Sequence, residues 1–245
     1  MKIRYFSDLH LEFIKPNYLE KWLRQIPAGM DEVCILAGDI GNPYKPNYDV
    51  FMNFISKNFM KTFVIAGNHE YYYNRLYETN DHMSQYFQPF ENISFLNNSC
   101  EIYEGHCFIG TTLWCKVTNP KYKINDVYRI LDFDYLQCNR LNQLSVDFLE
   151  DALEKNDKCV VITHHMPSSS LIDVKYLSEG MRPYNQWFYS DMDHLFNPNK
   201  IKGWFYGHTH TPADTIIHGI PFLCNPIGYP NENKKIDFQK VHIIP

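Results

Sequence analysis

The amino-acid sequence predicts an α/β fold, and three observations support this. Short apolar runs of β-strand type alternate with amphipathic stretches of helical periodicity along the first 90 residues. Such alternation is typical of βαβ units, which build a parallel sheet. Beyond residue 90 the apolar runs are short and closely spaced, which predicts hairpins or a meander. Of the 245 residues, 44% are hydrophobic and 21% are charged, an ordinary globular composition with enough apolar side chains for a core.

In the first half, each predicted strand is followed by a predicted helix. The predicted strands are residues 3–6, 33–36 and 62–66. The predicted helices are residues 18–25, 48–58 and 72–88. Pro89 ends the last helix, because proline lacks the amide hydrogen that a helix interior needs. Parallel strands joined in this way leave their carboxyl ends along one edge of the sheet.

The second half is richer in short strands. The predicted strands are residues 93–96, 101–103, 107–109, 160–163, 203–206, 215–217, 221–223 and 241–244. A tight turn is predicted at Gly105. A helix is predicted at residues 145–155, with Ser145 as its N-cap. The sequence contains neither an internal repeat nor a low-complexity linker, so we predict one domain over residues 1–245.

Charge and cysteine usage exclude several classes of protein. The formal net charge of −5 and the sequence pI of about 6.1 argue against a basic nucleic-acid module. Seven scattered cysteines without a Cys-x-x-Cys pair argue against a disulfide framework and a thiolate zinc site, and we expect a cytoplasmic protein. Lys2, Arg4 and Asp8 interrupt the N-terminal apolar residues, so no secretory signal is expected. No run approaches eighteen apolar residues, so no membrane span is expected.

Five of the predicted strands end in polar clusters. In chain order the clusters are Asp8-Leu9-His10, Gly38-Asp39, Gly67-Asn68-His69-Glu70, His164-His165 and Gly207-His208-Thr209-His210. The carboxyl ends of strands in α/β sheets line the ligand crevice, so we expect these clusters to converge. They offer oxygen and imidazole nitrogen but no thiolate, a ligand set that suits Mn²⁺, Fe or Zn²⁺ better than Ca²⁺.

Each cluster also has a simpler explanation when it is taken alone. Asp8 and Asp39 suit turns or helix N-caps, and Asn68 after a glycine is an ordinary turn residue. The two adjacent histidines suit a partly buried pair, and His208-x-His210 suits surface alternation. The joint occurrence of all five clusters in this order, each after an apolar strand, favours a metal site.

The ordered set D-x-H, G-D, G-N-H-E, H-H and G-H-x-H resembles the calcineurin-like metallophosphoesterase superfamily, and it extends from Asp8 to His210. The resemblance implies a four-layer α-β-β-α sandwich of two mixed β-sheets, the metallo-dependent phosphatase fold. It also implies two divalent metal ions, Mn²⁺, Fe²⁺/Fe³⁺ or Zn²⁺. By matching position, Asp8, His10 and His210 resemble the ligands of one metal, and Asn68, His164 and His208 those of the second. Asp39 resembles the carboxylate that bridges both.

The resemblance further implies the reaction. A hydroxide that bridges the two metals would attack phosphorus in a phosphodiester or phosphomonoester, and His69 would protonate the leaving group. We expect the substrate to be a nucleotide or another small molecule, and His165 to contact either the metal ligands or the substrate. The G-D-x-x-D-R-G signature of Ser/Thr protein phosphatases is absent, which disfavours protein dephosphorylation and leaves the acidic partner of His69 unidentified.

Two alternatives to a small-molecule esterase stay open. A nuclease would use the same chemistry, but the acidic composition disfavours extended nucleic acid as a partner. A catalytically silent scaffold for protein partners would be expected to have lost metal ligands, and none of the seven is missing.

Two further segments invite interpretation. Residues 115–129 combine four cations with Tyr122 and Tyr128. They suit a loop in which Arg129 and a stacked tyrosine contact the substrate, or a solvated loop, which is the more usual role of such charge runs. The segment Asn225-Pro226-Ile227-Gly228-Tyr229-Pro230 predicts a turn shaped by glycine and proline, with a mainly structural role.

Overall fold

The computed structural model describes residues 1–27, 29–232 and 237–244. In the first part of the chain the elements are β1 (Lys2–Phe6), α1 (Pro16–Leu23), β2 (Gly29–Ala37), α2 (Pro46–Asn58), β3 (Phe59–Ile65), α3 (Leu76–Phe87) and β4 (Ile93–Phe95). They are followed by β5 (Ser99–Tyr103), β6 (His106–Thr111), α4 (Asp126–Arg129), α5 (Tyr135–Lys155), β7 (Cys159–Thr163), β8 (Ile201–Phe205), β9 (Ala213–Ile217), β10 (Ile220–Cys224) and β11 (Val241–Ile243). Among these helices, none is long and apolar enough to cross a membrane.

The first sheet has the strand order β11-β1-β2-β3-β4. Strands β1 to β4 are parallel to their neighbours, as the alternation of strands and helices predicts. Strand β11 adds an antiparallel edge. The prediction that residues 93–96 form part of a meander is wrong. Strand β4 pairs with β3, because helix α3 supplies the long crossover that a parallel pair needs.

The second sheet has the order β5-β6-β7-β8-β10-β9. The predicted hairpin is present between β5 and β6, with its turn at Gly105, whose φ is +72°. The four central strands β6, β7, β8 and β10 are nevertheless parallel, so the meander prediction fails for the middle of this sheet. The long segments between them act as crossovers and bring their carboxyl ends to one edge.

The two sheets pack face to face, and helices cover their outer faces. Successive residues of a strand point to opposite faces, so a doubly covered strand contributes to two cores. Ile3 and Tyr5 join the apolar cluster between the sheets, together with Phe205 of the second sheet. Phe6 instead packs in the cluster under α1, α2 and α3, and Leu149 of α5 packs against the outer face of the second sheet. The two mixed sheets and their helices form the expected α-β-β-α sandwich.

Helix α5 begins ten residues earlier than the sequence predicts. Its N-cap is Asp134, whose Oδ1 accepts from Gln137 N at 2.9 Å, and not Ser145. Ser145 lies buried within the helix and accepts a hydrogen bond from Thr111 Oγ1 at 3.0 Å. Asn142 is buried on the same face. Polar residues on the buried face interrupt the apolar periodicity from which the helix start was predicted.

Candidate metal centre

The seven predicted ligands converge where the two sheets meet at the carboxyl ends of their strands. Asp8 and His10 follow β1, Asp39 follows β2, Asn68 follows β3, His164 follows β7, and His208 and His210 follow β8. Six of the seven are buried and His208 is partly exposed. Residues up to 202 positions apart in the sequence thus line one small space, as parallel topology requires.

Asp8, His10 and His210 form one cluster of possible ligand atoms. The Nε2 atoms of His10 and His210 are 3.0 Å apart, and Asp8 Oδ1 lies 3.5 Å from His210 Nε2. The Nδ1 atom of His10 faces Glu12 at 3.3 Å, and that of His210 faces Glu232 at 2.8 Å. A carboxylate can only accept, so Nδ1 carries the hydrogen when the ring is neutral, and Nε2 then offers its lone pair to a cation. Two lone pairs aimed at each other suit a shared cation.

Asn68, His164 and His208 form the second cluster. Asn68 Oδ1 lies 3.0 Å from both His164 Nε2 and His208 Nδ1. Asn68 Nδ2 donates to Asp126 Oδ1 at 2.8 Å, which fixes the amide so that its oxygen faces the histidines. His164 Nδ1 donates to the Ala37 carbonyl at 2.9 Å, which leaves Nε2 bare when the ring is neutral. This donor set also fits a divalent ion of the first transition row.

Asp39 lies between the two clusters. Its Oδ2 is 3.8 Å from His10 Nε2, and its Oδ1 is 3.4 Å from His164 Nε2. Burial opposes ionisation, but His164 and His69 outweigh it and hold the pKa of Asp39 well below its usual range. Burial likewise opposes the charged form of His164, yet Asp39 raises the pKa of that ring to about 10. The field at this point therefore attracts positive charge, whether a proton or a metal ion.

Five of the predicted ligands have left-handed backbone conformations. They are Asp8, His10, Asp39, His208 and His210, with φ values from 48° to 67°. Such conformations are uncommon for non-glycine residues and persist only where the surroundings enforce them. Hydrogen bonds between loops do so: Asp8 N donates to the Gly38 carbonyl and His10 N to the Asp39 carbonyl, both at 3.0 Å.

Glu70 holds two of these loops together. Its buried carboxylate accepts from the backbone nitrogens of Gly67 at 2.7 Å, Ile40 at 2.8 Å and Asp39 at 3.0 Å. It therefore bonds to backbone groups around Asp39 and is not the acidic partner of His69. A β-carbon on Gly67 would lie 2.6 Å from Asp39 N, so this close approach requires glycine.

His69 has partners that sequence reasoning missed. Its Nδ1 faces Glu12 Oε1 at 3.1 Å, and its Nε2 faces the Tyr229 hydroxyl at 2.9 Å. Its ring stacks on Tyr72 with centroids 4.1 Å apart. Glu12 is thus the acidic partner that the sequence left unidentified. The spacing Asp8-x-His10-x-Glu12 was the available signal.

The two predicted substrate-binding residues lie outside the lining of the cleft beside the metal centre. His165 is buried and contacts the Thr112 carbonyl through Nδ1 at 3.1 Å. Its ring packs on His208 at 4.2 Å, which favours the predicted contact with a metal ligand. Arg129 places its guanidinium 5.5 Å from the centre of the Tyr72 ring. A role for either residue in substrate binding stays a prediction.

A cleft of about 600 Å³ opens above the predicted ligands. Its aromatic lining comes from several separate segments of the chain. The aromatic residues are Tyr72, Tyr128, Tyr176, Tyr184, Phe188 and Tyr229. Phe188 contacts the ring of His208 at 4.9 Å and lies nearly parallel to Tyr176, so one aromatic wall starts at the predicted ligands and extends outward. Residues 115–129 contribute Lys123 and Asp126 to the cleft and are not merely a solvated loop.

The sequence also matches a known protein family and a known relative. The family model for calcineurin-like phosphoesterases matches residues 1–212. The uncharacterized protein L509 of Acanthamoeba polyphaga mimivirus is 32% identical to this chain in an alignment that covers 96% of this chain and 94% of that protein.

Two solved structures share the fold. The phosphopantetheinyl hydrolase of Mycobacterium tuberculosis superposes with a TM-score of 0.76 at 16% identity, over 94% of this chain and 90% of its own. The protein TT1561 of Thermus thermophilus superposes with a TM-score of 0.58 at 12% identity, over 92% of this chain and 88% of its own.

Proposed function

Because this chain belongs to the calcineurin-like phosphoesterase family of metal-dependent phosphoester hydrolases, we propose that it is a dinuclear enzyme acting on a nucleotide or another small phosphorylated molecule. One observation carries the proposal: two clusters of oxygen and imidazole lone pairs face inward on either side of Asp39. The buried carboxylates between these nitrogens attract positive charge, as the raised pKa of His164 indicates. Two divalent cations would satisfy both clusters.

One ion would be held by Asp8, His10 and His210, and the other by Asn68, His164 and His208. Asp39 would hold both ions. When bound, the two ions supply a nucleophile derived from water and positive charge for the phosphoryl oxygens. Among these ligands only Asp8 and Asp39 are anionic, and two divalent ions bring about four positive charges. The net positive charge that remains at the site attracts a phosphate ester, although the chain as a whole is acidic.

The protein itself supplies the acid. His69 lies in the cleft wall beside Asp39, and Glu12 holds its ring through Nδ1. Burial opposes the protonated ring, but Asp39 and Glu12 outweigh it and raise the pKa of His69. A protonated imidazole at this position can supply the proton that a departing alkoxide needs.

The cleft supports a small substrate with a flat, apolar portion. Its aromatic wall begins at Phe188 next to His208 and continues through Tyr176. Lys123 is the one lysine or arginine among the described residues that line it. Flat rings stack on such walls, and a nucleoside is one group of this kind. The phosphopantetheinyl hydrolase shares only the fold, but its name adds phosphopantetheinyl esters to the substrates worth testing.

The two alternatives receive less support. A nuclease that binds extended strands would need a track of cations along the cleft, and within the described part of the chain Lys123 alone does not provide one. A silent scaffold would not need Glu12 and Glu232 to orient ligand histidines. Seven scattered cysteines without a Cys-x-x-Cys pair support the proposed reducing, cytoplasmic location.

The test is hydrolysis of bis-p-nitrophenyl phosphate and p-nitrophenyl phosphate by metal-depleted protein, with and without added Mn²⁺. We expect Mn²⁺ to restore turnover in the parent protein and in Asp151→Asn, an exposed control on α5. Asp39→Asn is expected to abolish it. The ratio of the two rates distinguishes diester from monoester preference. Folded protein that binds two ions and hydrolyses neither ester, nor any nucleotide or phosphopantetheinyl ester, would contradict the proposal.

A further inference from the structure

Both ring nitrogens of His69 are occupied by side chains of the protein. Nδ1 faces Glu12 Oε1 at 3.1 Å, and Nε2 faces the hydroxyl of Tyr229 at 2.9 Å. A ring N–H donates along a single direction in the plane of the ring. While Tyr229 is in place, a leaving-group oxygen has no free nitrogen of His69 from which to take a proton directly.

Tyr229 itself lines the cleft and is held firmly against the predicted ligands. Its ring centre lies 4.6 Å from that of His10 and 4.7 Å from that of His210. The preceding residue, Gly228, has φ of +78° and donates its N–H to the Asp8 carbonyl at 3.0 Å. The turn at 225–230 is therefore not only structural, because it fixes the phenol between His69 and the cleft.

We infer that Tyr229 is the residue that donates the proton to the leaving group, and that His69 acts through it. This inference rests on the proposed function. As the bond between phosphorus and the leaving oxygen breaks, its electron pair stays on that oxygen, which takes the hydroxyl proton of Tyr229. Tyr229 oxygen simultaneously takes the Nε2 proton of His69, whose ring becomes neutral and later recovers a proton from solvent. The oxygen of a water molecule forms the new bond to phosphorus, and that water releases one proton to solvent.

The experiment measures kcat/KM for a series of phosphoesters, diesters or monoesters according to which type the parent hydrolyses faster, whose leaving groups range from p-nitrophenol through phenol to an aliphatic alcohol. The proteins are the Mn²⁺-loaded parent, Tyr229→Phe, His69→Ala, the double variant and Tyr48→Phe. Tyr48→Phe is the control, because it removes a tyrosine hydroxyl that is buried and forms no hydrogen bond within the described part of the chain. A good leaving group needs no proton, whereas an alkoxide does.

We expect Tyr229→Phe to leave p-nitrophenyl ester hydrolysis little changed and to lower alkyl ester hydrolysis by roughly 10²–10⁴-fold. His69→Ala should show the same dependence on the leaving group. The double variant should lose no more than His69→Ala alone, because residues that act in series are not additive. Metal content measured by plasma mass spectrometry should equal two ions in every variant, and Tyr48→Phe should match the parent throughout.

Three results would overturn the relay and leave the proposed function standing. One is a loss in Tyr229→Phe that is the same for every leaving group. Another is a steep dependence in His69→Ala without one in Tyr229→Phe, which would mean direct donation by His69. The third is loss of a metal ion in Tyr229→Phe, which would make the phenol a ligand. If the metal-loaded parent hydrolyses none of these esters, nor any nucleotide or phosphopantetheinyl ester, the relay is overturned together with the proposed function.

Discussion

The Nε2 atoms of His10 and His210 lie 3.0 Å apart, and the Nδ1 atom of each ring faces a carboxylate. When both rings are neutral with the hydrogen on Nδ1, two Nε2 lone pairs face each other. A cation against both nitrogens, whether a metal ion or a shared proton, makes this contact favourable. This relationship, and the contacts that maintain the site around it, lead to four predictions.

Metal binding is expected to stabilise the fold. Adding Mn²⁺ to metal-depleted protein at about 100 times its dissociation constant should contribute about 2.7 kcal/mol per site. For a chain of this size, that corresponds to a rise in Tm of roughly 5–10 °C. His10→Ala should reduce the rise, whereas His194→Ala, which removes an exposed histidine paired with Glu150, should not. A thermal melt followed by circular dichroism checks this, and equal shifts in both variants would contradict it.

Glu12→Gln should weaken the acid, and its activity is measured at saturating Mn²⁺ because Glu12 also contacts His10. Asp39 and Glu12 raise the pKa of His69, so the ring stays protonated to higher pH and activity falls as pH rises through that pKa. Removal of the Glu12 charge lowers the pKa, which moves the alkaline limb of the kcat profile to lower pH. At mildly alkaline pH we expect kcat to fall about 10–100-fold. Glu20→Gln, an exposed change on α1, is the control, and an unmoved alkaline limb would refute the assignment.

Asp126→Ala should weaken the metal site of Asn68. Asp126 Oδ1 accepts from Asn68 Nδ2 at 2.8 Å and from the Tyr72 hydroxyl at 2.7 Å. Without it, the amide loses the hydrogen bond that aims its oxygen at His164 and His208. We expect a loss of about 10–100-fold in affinity for the more weakly held ion, measured by isothermal titration calorimetry. Asp132→Ala removes an exposed carboxylate a few residues away and should leave both affinities unchanged.

Gly67→Ala should disrupt both stability and metal binding. Its β-carbon would lie 2.6 Å from Asp39 N and 2.7 Å from His164 Cε1, and neither the backbone nor a buried ligand can yield cheaply. We expect a loss of about 1–3 kcal/mol in the free energy of unfolding, measured with denaturant. Gly180→Ala is the matched control, because no atom lies within 4 Å of the added carbon. Equal stability of the two variants would show that the loop around Gly67 relaxes freely.

The sequence predicts well which polar residues converge at the candidate metal centre, for a physical reason. Each predicted ligand follows an apolar strand, and parallel strands bring their carboxyl ends together whatever the length of the connections. The residues that surround the ligands are harder to predict. Asp126 meets Asn68 across 58 positions and Tyr229 meets His69 across 160, and those contacts depend on how separate loops pack. No short sequence pattern around Asp126 indicates that its carboxylate is buried against the amide of Asn68.

The predicted start of helix α5 is wrong because part of its buried face is polar. Ser145 begins the apolar part of α5, which favours it as an N-cap, whereas the helix starts after Asp134. The predicted pairing of β4 is wrong for a different reason. The short strand β4 lies close to β5 in the sequence, yet it pairs with β3 in the other sheet. Sequence spacing limits which strands can pair but does not choose between two sheets.

We propose that seven side chains, with Asp39 between the two clusters, hold two metal ions. The most direct measurement is an anomalous difference map from a crystal of the Mn²⁺-loaded protein. We expect two peaks about 3.5–4 Å apart, with Asp39 in contact with both. One peak should adjoin Asp8, His10 and His210, and the other Asn68, His164 and His208. A single peak, or ions bound elsewhere while these side chains keep to one another, would contradict it.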